Sequence, residues 1–281
     1  MKVLVTGANG QLGYDVIKRL NALGDEPVGA DREEFDITDD KATEDYITAL
    51  RPDAIVHCAA YTAVDKAEDD RDTCRKVNID GTRNIALACE KIGAKLVYIS
   101  SDYVFGGSGT QPLEIDAPKD PQNIYGITKL GGEEEAKKCQ KHFIVRTSWV
   151  FGINGGNFVK TMLRLADSHE KLTVVDDQTG SPTYTPDLAR LICDMIKTEK
   201  YGTYHASNEG YCTWAEFAKE IMRQAGKATE IVPCTTAEYP AKAKRPENSR
   251  LSKKCLDDAG FDRLPPWQDA LARFLKELDL A

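Results

Sequence analysis

The chain has 281 residues, enough for one large domain with an appended lobe or for two modest domains. Hydrophobic residues make up 41% and charged residues 29%, which excludes collagen-like, low-complexity and wholly disordered chains. With 37 Lys and Arg against 45 Asp and Glu, the formal net charge is −8, so the surface as a whole repels nucleic acid and does not attract an anionic membrane. We therefore expect neither partner, while helix N-termini or a few arginines still allow a small anionic ligand.

The location of the protein is predicted from its apolar runs and cysteines. The apolar runs are shorter than the ~18 residues that a membrane helix needs. Residues 1–7 turn into a glycine loop where a signal peptide would continue its apolar run. The eight cysteines form no Cys-x-x-Cys pair. We expect free thiols in a reducing cytoplasm.

Apolar strand patterns and longer helical patterns alternate along the first half of the chain. In chain order, the sequence predicts strand 3–6, helix 12–23, strand 27–30, helix 43–50, strand 54–58, helix 78–92, strand 95–100, helix 126–140 and strand 142–147. Such alternation is typical of right-handed crossovers and a parallel sheet covered on both faces. The predicted fold class is therefore α/β, with a doubly wound parallel sheet of the Rossmann type.

The pattern loosens beyond residue 150. A turn-rich break at 152–156 is followed by predicted helices at 158–166, 186–197, 214–225 and 267–278, with a basic, proline-containing loop at 239–250. We predict a Rossmann domain over 1–150 and a smaller C-terminal α/β substrate-binding lobe over 151–281, with segments at about 185–206 returning to the Rossmann domain. Loops 106–121 and 152–156 are long enough to be active-site loops.

A glycine loop follows the first predicted strand. Gly7, Gly10 and Gly13 have the spacing Gly-x-x-Gly-x-x-Gly and open the first helix. Glycines at such a turn let the backbone approach a pyrophosphate, to which the helix N-terminus presents free N–H groups. This position in the chain favours a dinucleotide site over an ordinary glycine-rich turn. Asp31 ends the second strand, where an acid accepts hydrogen bonds from ribose hydroxyls, but the next residue, Arg32, could instead neutralise a 2′-phosphate. NADH and NADPH both remain candidates.

A second motif pairs a phenol with an ammonium. Tyr125 and Lys129 lie on one face of a helix, ~6 Å apart along its axis. A free phenol has a pKa of about 10, and a neighbouring Lys⁺ favours the phenolate, so we expect Lys129 to lower the pKa of Tyr125. Ser101 lies about 25 residues earlier, at the end of a predicted strand, where open α/β sheets bind ligands. Its hydroxyl could bond a substrate carbonyl while the Tyr protonates it.

The combination of glycine loop, strand-end Ser and helical Tyr-Lys pair resembles the extended, nucleotide-sugar branch of the short-chain dehydrogenase/reductase superfamily. Four further segments resemble the dTDP-4-dehydrorhamnose reductase family within it: residues 58–68, 101–105, 146–149 and 244–251. Matching segments run from residue 7 to residue 250. The resemblance implies an oxidoreductase that reduces the 4-keto group of a dTDP-linked 4-keto-6-deoxy sugar, dTDP-4-dehydro-L-rhamnose, with NADPH or NADH.

The resemblance also implies roles for individual residues. The implied catalytic residues are Tyr125, as proton donor, Lys129 and Ser101. The implied cofactor contacts are Gly7, Gly10, Gln11, Leu12, Asp31, Arg32, Asp36, Ile37, Ala59, Ala60 and Tyr61, together with Tyr125 and Lys129. The implied substrate contacts are Ser101, Asp102, Trp149, Arg245 and Asn248, with Arg245 and Asn248 near the diphosphate or thymidine.

Two departures from the family pattern bear on these roles. Ser101 stands where Thr is common, which keeps the hydroxyl, and Tyr61 replaces a common His. Some relatives hold Mg²⁺ through acidic residues at a dimer interface, near positions matched by Asp15 and Asp187. Both could equally be solvated helix carboxylates, so no metal is expected. Monomer and homodimer are both open.

Two other functions stay open on the sequence alone. One is a nucleotide-sugar epimerase or 4,6-dehydratase of the same superfamily; a dehydratase usually has an acidic pair after its strand-end hydroxyl, whereas Tyr103 follows Asp102 here. The other is a non-catalytic subunit, because relatives of the reductase regulate methionine adenosyltransferase. The presence of Ser101, Tyr125 and Lys129 argues against it.

Overall fold

The computed structural model of the protein describes residues 1–239 and 241–279. Residue 240, in the predicted loop 239–250, and residues 280–281, at the end of the predicted lobe, lie outside the described residues. The strands, in chain order, are β1 (Lys2–Thr6), β2 (Glu26–Ala30), β3 (Ala54–His57), β4 (Lys95–Ser101), β5 (His142–Thr147), β6 (Val150–Phe151), β7 (Lys171–Val175), β8 (Thr179–Gly180), β9 (Thr183–Tyr184), β10 (Gly202–His205), β11 (Cys212–Thr213) and β12 (Glu230–Cys234). The α-helices are α1 (Gln11–Ala22), α2 (Asp40–Leu50), α3 (Val64–Ala67), α4 (Arg71–Arg75), α5 (Thr82–Ile92), α6 (Ile124–Ala136), α7 (Phe158–Ala166), α8 (Thr185–Met195), α9 (Trp214–Gln224), α10 (Lys254–Ala259) and α11 (Trp267–Glu277).

Six strands form the central sheet in the order β10-β5-β4-β3-β1-β2, and every neighbouring pair is parallel. The order reverses next to β1, because β2 lies on one side of it and β3 on the other. Ligands of open α/β sheets bind at such a switch point, outside the carboxyl ends of the strands. The predicted doubly wound parallel sheet is confirmed.

Helices cover both faces of the sheet. Along β1, Val3 and Val5 point to the face covered by α1 and α8, and Leu4 points to the opposite face, covered by α2, α5 and α6. These β-branched and leucine side chains are fully buried. Burial on both faces explains why the strand is apolar throughout instead of alternating.

A second apolar core lies in the C-terminal part of the chain. It is built from α7, α9 and α11 with the parallel pair β7 and β12, around Phe151, Phe217 and Phe274. The intervening α8 packs on α1, and β10 pairs with β5 in the central sheet. The chain therefore leaves the sheet after β5, returns for α8 and β10, and leaves again.

Two helices near the sheet edge differ from their predicted limits. The predicted helix 78–92 is a π-helix over Lys76–Gly81 continued by α5. Helix α6 begins at Ile124, because the Asn123 side chain caps it by accepting from the Gly126 N–H at 2.8 Å. In the described ranges, 1–239 and 241–279, no helix is long and apolar enough to cross a membrane.

Candidate active site

A cleft of about 1060 Å³ opens at the carboxyl ends of the central strands. Most of the predicted site residues line it: Gly7, Gly10, Gln11, Leu12, Asp31, Arg32, Asp36, Ile37, Ala59, Ala60, Ser101, Asp102, Tyr125, Lys129 and Trp149. Tyr61, Arg245 and Asn248 are not among its lining residues. The structure therefore brings together the glycine loop, the strand-end Ser and the Tyr-Lys pair, which are far apart in sequence.

The glycine loop needs its glycines for backbone approach. Gly7 has φ +68°, and a Cβ there would lie 2.7 Å from the backbone nitrogen of Ala59, in the loop that follows the neighbouring strand β3. A Cβ on Gly13 would lie 2.1 Å from the Gly7 carbonyl oxygen. Only glycine therefore fits where α1 meets this turn, and the helix N-terminus is directed into the cleft.

Acidic residues surround the far end of the cleft, beyond β2. The Asp31 carboxylate accepts from the Asn9 N–H at 3.0 Å, so it supports the glycine loop as well as facing the cleft. The Arg32 side chain is 88% exposed and lies 3.4 Å from Asp36. Hydrogen bonds from Thr38 hold the pKa of Asp36 below its usual range. A largely exposed guanidinium is free to turn toward a ligand phosphate, so this geometry accommodates either dinucleotide.

Asn78 braces the loop after β3 against α6, the helix that carries Tyr125 and Lys129. Its side-chain amide accepts from the Tyr61 N–H at 2.8 Å and donates to the Tyr61 carbonyl at 3.2 Å and the Thr128 hydroxyl at 3.0 Å. The Tyr61 hydroxyl donates to Asp70 at 3.2 Å. Tyr61 is therefore oriented by these contacts, and the cleft wall here is formed by Ala59 and Ala60. Asn78 lies in the π-helix, from which its side chain reaches this bridge.

Ser101 and Asp102 form a buried acid-hydroxyl pair at the end of β4. The Ser101 hydroxyl donates to Asp102 Oδ1 at 2.8 Å, and the Ser249 hydroxyl donates to Asp102 Oδ2 at 2.5 Å. Burial raises the pKa of Asp102 to about 6, against the lowering effect of these hydrogen bonds. Ser249 was not predicted as a site residue, because nothing local in the sequence shows that its segment crosses the end of β4.

Tyr125 and Lys129 face the cleft from α6. The Tyr125 ring packs edge-on against Tyr103, with centroids 5.4 Å apart, and Gly126 is required because a Cβ there would lie 2.2 Å from the Tyr103 carbonyl oxygen. Lys129 is 2% exposed, and its Nζ lies 4.2 Å from the centroid of the Tyr98 ring. Burial lowers the pKa of Lys129 to about 7.

The expected lowering of the Tyr125 pKa is wrong for this structure. Burial and, secondly, the Asp102 carboxylate raise the pKa of Tyr125 above its usual range. Lys129 has a depressed pKa of its own, so it is not a permanent cation beside the phenol. Tyr125 therefore carries its proton at neutral pH.

Trp149 forms part of the wall of the cleft. Its indole stacks on Trp214, with ring centroids 3.7 Å apart and planes 15° from parallel. Its backbone is left-handed, with φ +50°, and Gly180 admits the indole because a Cβ there would lie 2.9 Å from it. A strained, aromatic-backed tryptophan in a cleft is typical of a ligand contact.

Two predicted substrate contacts have intramolecular partners here. The Arg245 guanidinium donates to Asp65 through Nη1 at 3.1 Å and Nη2 at 2.6 Å. The Asn248 side chain donates to the carbonyls of Ser108 at 3.3 Å and Gln111 at 2.9 Å, so it holds the loop 106–121. Their roles toward substrate stay predictions.

The two candidate metal carboxylates do not fit a Mg²⁺ site. Both oxygens of Asp187 accept from the Arg273 guanidinium, at 2.9 and 2.7 Å. Asp15 accepts from the Thr185 hydroxyl at 2.5 Å. The Arg273 guanidinium therefore already occupies the two carboxylate oxygens of Asp187 that a divalent cation would need. Over the described residues, no group of three or more His, Cys, Asp or Glu side chains could hold a metal.

The break at 152–156 docks on the glycine loop, which sequence reasoning did not predict in detail. The Asn154 side chain donates to the Asn9 carbonyl at 2.7 Å, and the Asn157 side chain donates to Gln11 Oε1 at 3.2 Å. Gly155 and Gly156 line the cleft. Gly155 has φ +73°, and a Cβ there would lie 3.2 Å from the Gln11 side chain. Asn154 and Asn9 are 145 positions apart, so no local pattern in the sequence predicts their contact.

Comparison with known proteins decides the family. The RmlD substrate binding domain family matches residues 1–280 of this chain. The chain belongs to the RmlD substrate-binding domain family. This confirms the family predicted from the sequence motifs.

Individual relatives agree over nearly their whole length. The spore coat polysaccharide biosynthesis protein SpsK of Bacillus subtilis is 44% identical over 98% of this chain and 97% of its own. The dTDP-4-dehydrorhamnose reductase of Escherichia coli is 38% identical over 99% of this chain and 98% of its own. The crystal structure of dTDP-4-dehydrorhamnose reductase from Bacillus anthracis, in complex with NADP, has a TM-score of 0.96 and 45% identity, covering 98% of this chain and 99% of that chain.

Proposed function

We propose that this chain is an oxidoreductase that reduces the 4-keto group of dTDP-4-dehydro-L-rhamnose with NADPH or NADH, giving dTDP-L-rhamnose. The observation that carries the proposal is that Tyr125 and Lys129 face the same cleft as the glycine loop. It is supported by the E. coli relative, a dTDP-4-dehydrorhamnose reductase, and by the NADP bound in the B. anthracis structure. The eight cysteines are all free, which supports a reducing cytoplasm.

The glycine loop and its neighbours would hold the cofactor. The N–H groups at the start of α1 suit the pyrophosphate, and Ala59 and Ala60 leave room for a flat ring along the cleft wall. Asp31 and Arg32, which line the cleft after β2, would contact the adenosine ribose. When bound, the reduced nicotinamide supplies a hydride to C4 of the sugar.

Tyr125 would then supply the proton to O4. Its raised pKa keeps the hydroxyl protonated, which is the form that a proton donor needs. Lys129, whose pKa is about 7, would hold the cofactor ribose and provide positive charge when protonated. Ser101 would bond the same oxygen once a substrate competes with Asp102 for its hydroxyl.

The sugar would lie between α6 and the tryptophan wall. Asp102 and Trp149 border this part of the cleft, and the indole offers a flat apolar surface to a deoxysugar. Arg245 would bind the substrate diphosphate by turning its guanidinium from Asp65 toward the cleft, which Tyr103 lines.

A coupled assay tests the proposal. The dTDP-linked keto sugar is first generated with the two enzymes that precede the proposed reduction. The purified chain is then added, and the absorbance of NADPH or NADH is followed. We expect stoichiometric oxidation of the cofactor and formation of a dTDP-6-deoxysugar. An epimerase or dehydratase would convert the sugar without net oxidation of added cofactor, and a regulatory subunit would do neither. Either outcome would contradict the proposal.

A further inference from the structure

A buried ion pair lies directly behind the catalytic residues. Glu133 is one helical turn after Lys129 on α6, and its side chain is 1% exposed. Its carboxylate accepts from Arg146 Nε and Nη2, each at 2.7 Å, and from the Ser100 hydroxyl at 2.6 Å. Ser100 precedes the strand-end Ser101. The pair therefore joins α6, β4 and β5 at the edge of the sheet where the cleft opens.

Arg146 is fixed from every side. Its Nη1 donates to the Ile115 carbonyl at 2.8 Å, in the loop 106–121, and its guanidinium lies 5.1 Å from the centroid of the Phe105 ring. Next to it, burial lowers the pKa of His205 to about 3, so His205 is neutral. A buried ion pair is often no more stabilising than apolar residues of the same size, so stability alone does not account for placing one here.

Glu133 and Lys129 are four positions apart on α6 and both are buried, so their side chains lie on one face of the helix. The negative charge of Glu133 raises the pKa of Lys129, against the larger lowering effect of burial. The other titratable groups that face Lys129 come from β3 and the residue after it, from α4 and β4, and from its own helix: His57, Cys58, Cys74, Tyr98 and Tyr125.

Those five groups are neutral at pH 7. Burial lowers the pKa of His57 to about 3 and raises the pKa of Cys58 to about 12. Burial also raises the pKa values of Cys74, Tyr98 and Tyr125. Among the groups described around Lys129, Glu133 is thus the source of compensating negative charge.

We propose that Glu133 is a positioning residue for the reduction: its charge favours the protonated form of Lys129 at the cofactor, and Arg146 fixes the Glu133 carboxylate in place. This rests on the proposed function, because it assigns the ammonium of Lys129 a role in that reaction. Neither Glu133 nor Arg146 lines the cleft, so both act through Lys129 and not on the substrate.

Variants that remove the negative charge of Glu133 or the positive charge of Arg146 are expected to shift the pH profile of kcat in opposite directions. Activity that needs the Lys129 ammonium falls as the pH rises through its pKa. Glu133→Gln removes the negative charge and leaves Arg146, so the alkaline limb of the kcat profile is expected to move down by at least about 1 pH unit, with kcat below that limb within about threefold of the unsubstituted enzyme. Arg146→Gln leaves Glu133 uncompensated, so the limb is expected to move up by at least about 0.5 unit.

The matched control is Glu134→Gln, the same chemical change one position along α6. Glu134 is 61% exposed and pairs with Lys137 at the surface. The alkaline limb of the kcat profile of Glu134→Gln is therefore expected to coincide with that of the unsubstituted enzyme. If the two substitutions acted only by loosening the packing, the alkaline limb of Glu133→Gln and that of Arg146→Gln would move in the same direction or would not move. Either result would overturn the proposal, as would failure of both variants to fold, because the pair would then be a structural requirement only.

The pH dependence of the NADPH dissociation constant separates this proposal from the proposed function. Binding is measured by cofactor fluorescence in the same variants. If the unsubstituted chain binds NADPH but does not reduce the keto sugar, the proposed function fails. The role of Glu133 is then still tested, because the pH dependence of the NADPH dissociation constant should shift in opposite directions in Glu133→Gln and Arg146→Gln. Coincident binding profiles in both variants would overturn the role of Glu133 alone.

Discussion

Removing Arg245 should weaken binding of the sugar nucleotide and leave the chemical step intact. A guanidinium matches a diphosphate through two parallel hydrogen bonds. In this structure the Arg245 guanidinium donates both hydrogen bonds to Asp65. Asp65 also accepts from the Ala243 N–H at 2.9 Å and so orients the segment that carries Arg245. Hydrogen bonding by Asp65 raises the pKa of Arg245 further, so the guanidinium is always charged.

The structure sets the two magnitudes to compare. The side chains of Arg245 and Asp65 are 27% and 47% exposed, so their ion pair contributes at most about 1 kcal/mol to stability. A charge-assisted contact with a diphosphate is worth about 1.4–2.8 kcal/mol, or about 10–100-fold in KM. Because that contact exists both before and during hydride transfer, its loss raises KM and leaves kcat nearly unchanged.

Steady-state kinetics of Arg245→Ala and Asp65→Ala make the comparison. We expect Arg245→Ala to raise KM for the dTDP-sugar by about 10–100-fold, with KM for NADPH within about twofold. Asp65→Ala frees the guanidinium and should change KM for the sugar much less. Equal effects in the two variants would show that Arg245 only completes the ion pair with Asp65, and a loss of NADPH affinity instead would refute its place at the substrate.

Three further predictions follow from local geometry. Gly13→Ala places a Cβ 2.1 Å from the Gly7 carbonyl oxygen, and a displacement of about 1 Å at this turn should raise the NADPH dissociation constant by about 100-fold in a fluorescence titration; unchanged affinity would contradict the assigned site. Loop 106–121 should exchange its amides more slowly when cofactor and dTDP-sugar are both bound, chiefly at 108–112, and Asn248→Ala should speed exchange there without ligands; unchanged exchange in both experiments would refute a closing loop. The pKa of Asp102 is raised to about 6, so its ionisation destabilises the fold as the pH rises from about 4 to 6, and Asp102→Asn should gain up to about 3 kcal/mol in free energy of unfolding over that range relative to the unsubstituted protein; a constant difference would contradict the raised pKa.

Much of the fold could be predicted because its signals are local. The apolar runs of β1, β3, β4 and β5 are fully or nearly buried, and the amphipathic helices between them have clear periods. The glycine loop requires its glycines for backbone approach, so its spacing in the sequence reports its geometry directly. The Tyr-Lys pair needed only the helical repeat to place both side chains on one face.

The parts of the site that could not be predicted depend on contacts between distant segments. Ser249 reaches Asp102 across 147 positions, and Asn154 reaches Asn9 across 145. Ion pairing of Arg245 with Asp65 likewise spans 180 positions, so the sequence showed a basic segment and not its partner. The direction of the Tyr125 pKa depends on burial and on Asp102, which only the assembled cleft reveals.

The central claim is that Tyr125 gives its proton to the sugar as the cofactor reduces it. Tyr125→Phe keeps the ring against Tyr103 and removes only the hydroxyl, so the single-turnover rate of NADPH oxidation with the dTDP-linked keto sugar isolates that proton. We predict a rate lower by about 10²–10⁴-fold, with the variant folded and still binding NADPH. A rate within a few-fold of the unsubstituted enzyme would contradict the account.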